Sequence, residues 1–276
     1  MEEIKIKPIQ NLHTHTKFCD GLDTPEEIVL FAIEKGFSSI GFSGHSFTHY
    51  SKAFAKIGDH TKEYKKCVAD LKEKYKGQIE IYLGLEVDMY SNPDMSNYDY
   101  LIGSVHYLRD GDKYIDFDKS VDDVENIIND FYGADAIKYA KAYYSALAQL
   151  PDYGDFDIIG HFDLITKHCE TRKFFDVESK EYLSTALDAM EALRGKIPFF
   201  EINTGAMARG YRTTPYPDFL LLKELKRLGF GAVISSDCHN KMKLDYKFDE
   251  AAALLKECGF KERYILTKNG FEAVSL

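Results

Sequence analysis

Seven short runs of β-branched and aromatic residues punctuate this chain, and most of them stop at a histidine or a carboxylate. The candidate strands end near His15, Ser43, Glu86, His106, His161, Asn203 and Asp237, with longer amphipathic stretches between them. Such alternation is the pattern of β/α units around a largely parallel sheet. In a β/α barrel the C-terminal strand ends open onto one face, the face on which active sites sit. The spacing therefore predicts an α/β barrel with a polar cluster in its mouth.

The clearest helix signal is Thr24-Pro25-Glu26-Glu27. Thr24 can cap, Pro25 suits the first helical position, the glutamates favour the positive end of the dipole, and the helix should run to about Lys35 and stop at Gly36. Further helices are predicted over about 59–76, 120–147, 178–195, 217–229 and 247–258. The segment from Asp88 to Tyr98, broken by Asn92-Pro93-Asp94, is too short for a crossover helix, so the barrel should be distorted there. Tyr264-Ile265-Leu266 reads either as an eighth barrel strand or as an outer one. No repeat or linker interrupts residues 1–276, which predicts a single domain.

The formal charge of −10 argues against a nucleic-acid groove, because affinity for a polyanion comes chiefly from Lys and Arg. No apolar run reaches bilayer length, and Met1 to Lys7 is charged, which predicts no membrane partner and a cytoplasmic protein. The five cysteines, Cys19, Cys67, Cys169, Cys238 and Cys258, are odd in number and scattered, so structural disulfides are not expected. Cys19 and Cys238 adjoin candidate site residues and are read as small buried thiols.

The chemistry concentrates at the strand ends. His13 and His15 are two apart in an extended segment and project to the same side, so both imidazoles can face one ion. Asp20 follows in a loop, His45 follows the second strand, and Glu86, His106 and His161 end the third, fourth and fifth. Asp237 and His239 end the seventh. Six of the nine histidines thus fall at strand C-termini. Converging imidazoles and carboxylates would repel or go unsatisfied without cations to organise them. A mixed nitrogen and oxygen donor set suits Zn, Fe, Mn or Co better than Ca or Mg. Three dications against three carboxylates and six neutral histidines leave about +3, so an otherwise acidic protein can hold a phosphate dianion. Of the other histidines, His49 either lines the pocket or is solvated, and His60 and His168 have no assigned role. Gly41-Phe42-Ser43-Gly44 lacks the spacing of a nucleophile elbow.

In order along the chain, His13-Thr14-His15, Asp20, Gly44-His45, Gly84-Leu85-Glu86, Ser104-Val105-His106, Gly160-His161 and Ser236-Asp237-Cys238-His239 resemble the PHP (polymerase and histidinol phosphatase) family. The resemblance implies a distorted (β/α)7 TIM-like barrel with a trinuclear centre, holding two to three divalent transition-metal ions. It implies that His13, His15, Glu86 and Asp237 hold one ion, Glu86 with His106 and His161 a second, and Asp20, His45 and His239 a third, with Glu86 as the bridge. Within the family the chain is most similar to the stand-alone L-histidinol-phosphate phosphatases of histidine biosynthesis. Glu201-Ile202-Asn203-Thr204-Gly205-Ala206-Met207-Ala208-Arg209, followed by Tyr216-Pro217, looks like that subgroup's phosphate loop, which makes Arg209 a substrate ligand. Arg172, eleven residues after His161, is the candidate second arginine, since guanidinium forks suit phosphate oxygens.

The expected activity is therefore hydrolysis of a small phosphorylated metabolite, by in-line attack of a hydroxide held between two ions, with charge stabilisation the main contribution of the protein. Glu86 and Asp237 are the expected catalytic carboxylates, and Asp237 could also pass a proton. Two other readings stay open on the sequence. One is a PHP phosphoesterase for a different monoester or a nucleotide phosphodiester. The other is a non-catalytic PHP module that stabilises a partner. Oligomeric state is not readable.

Overall fold

A computed structural model describes residues 9–51 and 60–276. The charged segment Met1 to Lys7 and the start of the helix expected from residue 59 lie outside the described residues. The strands are β1 (Gln10–Asn11), β2 (Ser39–Phe42), β3 (Glu80–Asp88), β4 (Tyr100–Ser104), β5 (Tyr107–Asp110), β6 (Lys113–Asp116), β7 (Ile158–Ile159), β8 (Phe199–Asn203), β9 (Gly231–Ser235), β10 (Glu262–Thr267) and β11 (Gly270–Ser275). The helices are α1 (Pro25–Glu34), α2 (Thr61–Lys74), α3 (Val121–Tyr132), α4 (Ala136–Leu147), α5 (Lys180–Leu193), α6 (Gly205–Ala208), α7 (Phe219–Leu228) and α8 (Phe248–Glu257).

Seven strands pair in parallel in the order β1-β2-β3-β4-β7-β8-β9. A parallel bridge between Thr14 and Cys238 joins the two ends of the sheet, with His15 N–H donating to Cys238 O at 2.8 Å and Cys238 N–H to His13 O at 2.9 Å. The result is the distorted seven-stranded TIM-like barrel that the residue pattern implies. Its distortion lies where Asn92-Pro93-Asp94 falls, since β3 passes to β4 without a helix.

α1 begins as its sequence dictates. Thr24 and Glu27 form a reciprocal capping box, with Pro25 in the first turn. The helix expected over 120–147 is two helices. Gly133 takes a left-handed conformation (φ 62°) after α3, Ala134 follows at φ 61°, and Asp135 caps α4 with its carboxylate. The hairpin β5–β6 was not expected from the sequence. Tyr264-Ile265-Leu266 lies in the antiparallel pair β10–β11, outside the barrel sheet. That hairpin closes the N-terminal end of the barrel: Leu266 joins the buried set Leu12, Tyr82, Tyr100, Ile102, Ile158 and Val233, and exchanges backbone hydrogen bonds with the Gln10 amide.

A buried ion network ties two loops at the opposite end. Arg212 donates to Thr166, reaches Asp218 at 2.6 Å, lies 3.7 Å from Asp163, and stacks over the Tyr216 ring at 4.6 Å. It thereby holds the chain following β7 against the chain following β8. All five cysteines are free. No helix among the described residues is long and apolar enough to cross a membrane.

Candidate metal centre

Residue parity along each strand decides what enters the barrel mouth. Glu86 sits near the end of β3, so its side chain and that of Asp88, two residues on, emerge on the same side. Glu86 is 1% exposed and forms the centre of the cluster. Its Oε2 lies 3.3 Å from His13 Nε2, 3.5 Å from His15 Nε2 and 2.9 Å from His45 Nδ1. Its Oε1 lies 3.4 Å from His106 Nε2 and 3.0 Å from His161 Nε2, and accepts from Ser104 Oγ at 2.8 Å.

The other carboxylates bound the cluster on its open side. Asp237 Oδ1 is 3.1 Å from His15 Nε2 and 3.6 Å from His13 Nε2. Asp20 Oδ2 is 3.2 Å from His239 Nε2 and 3.6 Å from His45 Nε2, and Asp20 Oδ1 is 3.3 Å from His15 Nδ1. Two backbone features make these approaches possible. Asp237 adopts φ 44°, a conformation that aspartate tolerates, as the chain turns out of β9. Gly21 lies so close to the His15 backbone that a Cβ there would meet it at 2.5 Å, so only glycine lets the Asp20 loop fold onto the first strand.

Donors around one ion at about 2.1 Å lie about 3.4 Å apart in a tetrahedral site. The separations above fall around that value. His13 Nε2, His15 Nε2 and Glu86 Oε2 are buried atoms without a hydrogen-bond partner, an arrangement costly to a folded protein unless a cation sits among them. Three donor groups fit ions: His13, His15 and Glu86; His45, Glu86 and His106; and His15, Asp20, His45 and His239. His161 joins the second through its Nε2, 3.2 Å from that of His106. All nine expected ligand side chains are thus brought to one mouth. His15 and His45 each serve two of the groups, so the boundary between ions is less sharp than the implied three-way division.

Charge within the cluster is mutually supported. Burial would raise the Glu86 carboxyl, but His13, His45 and His106 hold it well below the usual carboxylate range. Burial likewise opposes ionisation of Asp237, where Arg209 and His13 outweigh it and keep the carboxyl low.

Arg209 follows α6 and donates from Nη2 to Asp237 Oδ2 at 2.9 Å and from Nη1 to Asp237 O at 3.1 Å, with the same Nη1 3.1 Å from His239 Nδ1. Its side chain is 32% exposed, so one edge remains open at the mouth. Gly205 makes this close approach possible, because a Cβ there would meet Asp237 Cβ and Ser236 O at 2.8 Å.

Arg172 is not brought into the cluster. Its guanidinium pairs instead with two carboxylates in the opening turns of α3, Glu125 and, at 3.1 Å, Asp122. A different cation after His161, Lys167, lies 2.7 Å from Asp118 Oδ1 and 4.5 Å from the centroid of the Tyr211 ring. Burial would raise the Asp118 carboxyl, but Lys167, then His106 and Arg209, hold it below the usual range.

Three more residues escaped the sequence reading. Glu201 is buried behind His13, 2.9 Å from its Nδ1. Asp88 lies behind His106, accepting its backbone N–H at 3.0 Å. Tyr50 donates to the other Asp88 oxygen. The alternation of Glu86 with Asp88 and of Glu201 with Asn203 was the available signal. Of the leftover histidines, His49 is exposed against Tyr50 and Tyr114, and His168 Nε2 lies 2.7 Å from Lys119 O.

The PHP domain signature matches residues 11–205, well over half of the chain. The histidinol-phosphatase of Bacillus subtilis (strain 168) is 28% identical over 272 residues, covering 89% of this chain and 98% of that protein. A Listeria monocytogenes protein assigned as a histidinol phosphatase superposes with a TM-score of 0.75 at 23% identity, covering 88% of this chain and 99% of that one. The histidinol phosphate phosphatase of Lactococcus lactis, solved with zinc, L-histidinol and phosphate, superposes with a TM-score of 0.69 at 21% identity, covering 95% and 98%.

Proposed function

Because the chain belongs to the PHP domain family, we propose that it is a metal-dependent phosphatase that hydrolyses L-histidinol phosphate to L-histidinol and inorganic phosphate. The observation that carries the reading is the convergence of six imidazoles and the carboxylates of Asp20 and Asp237 around Glu86, with donor atoms spaced as shared ions require. A full-length likeness to a histidinol-phosphatase supports the choice of substrate. On this reading the reaction belongs to histidine biosynthesis.

His13, His15, Glu86 and Asp237, then His45, His106 and His161, then Asp20 and His239 complete the donor set for two to three Zn, Fe, Mn or Co ions. Bound there, the ions supply positive charge against the phosphoryl oxygens and lower the pKa of water toward neutrality. The rest is done by the chain itself. The open edge of Arg209 and the ammonium of Lys167 grip the non-bridging oxygens from two sides of the mouth. Asp237, with one oxygen toward His13 and His15 and the other on Arg209, is the carboxylate we assign to take up the proton of the attacking water. Attack in line with the ester bond breaks it, and the departing histidinol oxygen takes the proton that Asp237 returns.

The test is phosphate release from L-histidinol phosphate by protein of known metal content, beside a panel of sugar phosphates, nucleotides and a phosphodiester. Faster turnover of another substrate would reassign the site. Binding without turnover under Zn, Fe, Mn and Co would refute catalysis.

A further inference from the structure

The Glu201 side chain is buried, and four groups converge on it, three from the ends of other strands and Asn203 from its own. Its Oε1 accepts from the His161 backbone N–H at 2.7 Å and from Asn203 Nδ2 at 2.8 Å. Its Oε2 accepts from Ser235 Oγ at 2.5 Å and lies 2.9 Å from His13 Nδ1. The Asn203 amide is oriented independently, because its Oδ1 accepts from Gly205 N–H at 2.8 Å. Oε1 therefore faces two groups that can only donate.

An ionised carboxylate has no proton to give, so the fourth contact fixes the state of the imidazole. His13 must donate from Nδ1, and its Nε2 lone pair is left facing Glu86 Oε2 at 3.3 Å and Asp237 Oδ1 at 3.6 Å. That same Nε2 is buried and has no hydrogen-bond partner. We propose that Glu201 is a positioning residue for the metal centre: it holds His13 as the tautomer whose Nε2 is available to an ion, and it anchors the backbone that presents His161. Residues that orient a ligand in this way commonly contribute about 10- to 100-fold to metal affinity. One side chain on β8 thus serves ligands that follow β1 and β7. Although Glu201 opens the segment that resembles a phosphate loop, it faces the barrel interior and acts on metal rather than phosphate.

The inference rests on the metal-binding reading of the cluster and is independent of the substrate. Its decisive variant is Glu201→Gln. The amide NH2 cannot stand where Oε1 meets two donors, so it must take the Oε2 position, where Ser235 can rotate to accept but His13 must offer Nδ1 as acceptor. The ring proton then moves to Nε2 and blocks it. Zinc titrated into metal-free protein against a chromophoric chelator should bind the variant at least about tenfold more weakly at one site. Zinc binding with wild-type stoichiometry and affinity would overturn the proposal. Ser235→Ala removes a donor to the same oxygen without touching the tautomer and should cost no more than a few-fold. A loss equal to that of Glu201→Gln would mean that packing at this point, not the imidazole proton, sets affinity, and would also overturn it. Should the glutamine variant fail to fold, nitrogen-15 spectra of histidines in the zinc-loaded wild type still decide the question. His13 should show a protonated Nδ1 and a zinc-bound Nε2, and the reverse assignment would refute the claim.

Discussion

Arg209 is where the path from metalloprotein to phosphatase is most exposed to test. Replacing it with methionine keeps much of the side-chain volume and removes the guanidinium. Hydrogen bonds to charged groups contribute about 1.5–3 kcal/mol each. A fork that loses two such bonds to a phosphoryl group, discounted because the side chain is 32% exposed, comes to about 3 kcal/mol. At about 1.4 kcal/mol per factor of ten, kcat/KM for L-histidinol phosphate should fall about a hundredfold. The structure adds a complication, because Arg209 also holds Asp237 at 2.9 Å and touches His239. Part of the loss could therefore come from a loosened ligand. Inorganic phosphate separates the two: if Arg209 grips phosphate, its inhibition constant should rise at least about tenfold in Arg209→Met, whereas mere bracing of Asp237 would leave that constant unchanged. Lysine at this position should recover only part of the activity, since a point charge cannot supply two parallel bonds. Wild-type kcat/KM in Arg209→Met, with metal content verified, would refute the assignment of this loop.

The remaining predictions probe other parts of the molecule. Purified protein should carry more than one equivalent of transition metal by elemental analysis, because nine donor side chains are too many for one ion of coordination number four to six. Glu86→Gln should abolish phosphate release and lower the metal content, while circular dichroism shows the barrel intact. Lys167→Met should raise KM at least about tenfold in steady-state assays, whereas Arg172→Met, which breaks only surface ion pairs with Asp122 and Glu125, should stay within a few-fold of wild type. Arg212→Met should lower Tm by about 5–10 °C in calorimetry, because it leaves Asp163 buried without its cation.

The barrel was legible because its causes are local and repeated. Each strand is a short apolar run, each crossover except that from β3 to β4 carries an amphipathic helix, and the Thr24 capping box fixed one helix start to the residue. What escaped notice depended on single backbone choices. The left-handed Gly133 that splits α3 from α4 leaves the hydrophobic period intact on either side, so periodicity alone reads one long helix. The hairpin β5–β6 is only four residues a side and turns at Gly111 (φ 59°), and its strands carry too little apolar pattern to announce it.

The same contrast divides the site. A ligand at a strand end is placed by the sheet itself: parallel register carries His13, Glu86, His106, His161 and Asp237 to one rim whatever the loops do. Their positions follow from strand order and parity, both of which the sequence carries. The second cation is a loop residue, and spacing along a loop says little about direction. Between His161 and Arg172 the chain makes a short helical turn (Leu164–Thr166), which brings Lys167 to Asp118 and sends Arg172 on to the carboxylates of α3. The choice between them is made by acids on a different element, more than forty residues earlier, and no count of residues after His161 contains that information. Glu201 is an intermediate case. Its strand and parity were readable, but its role was not, because donors from three distant parts of the chain must meet beside Asn203 before a buried carboxylate can be told from a phosphate-loop glutamate. Most of the candidate metal ligands are thus fixed by strand geometry, Asp20 by its loop, and the residues proposed to orient them or to meet the substrate by packing between distant segments, which is why the metal could be inferred from the sequence sooner than its supports.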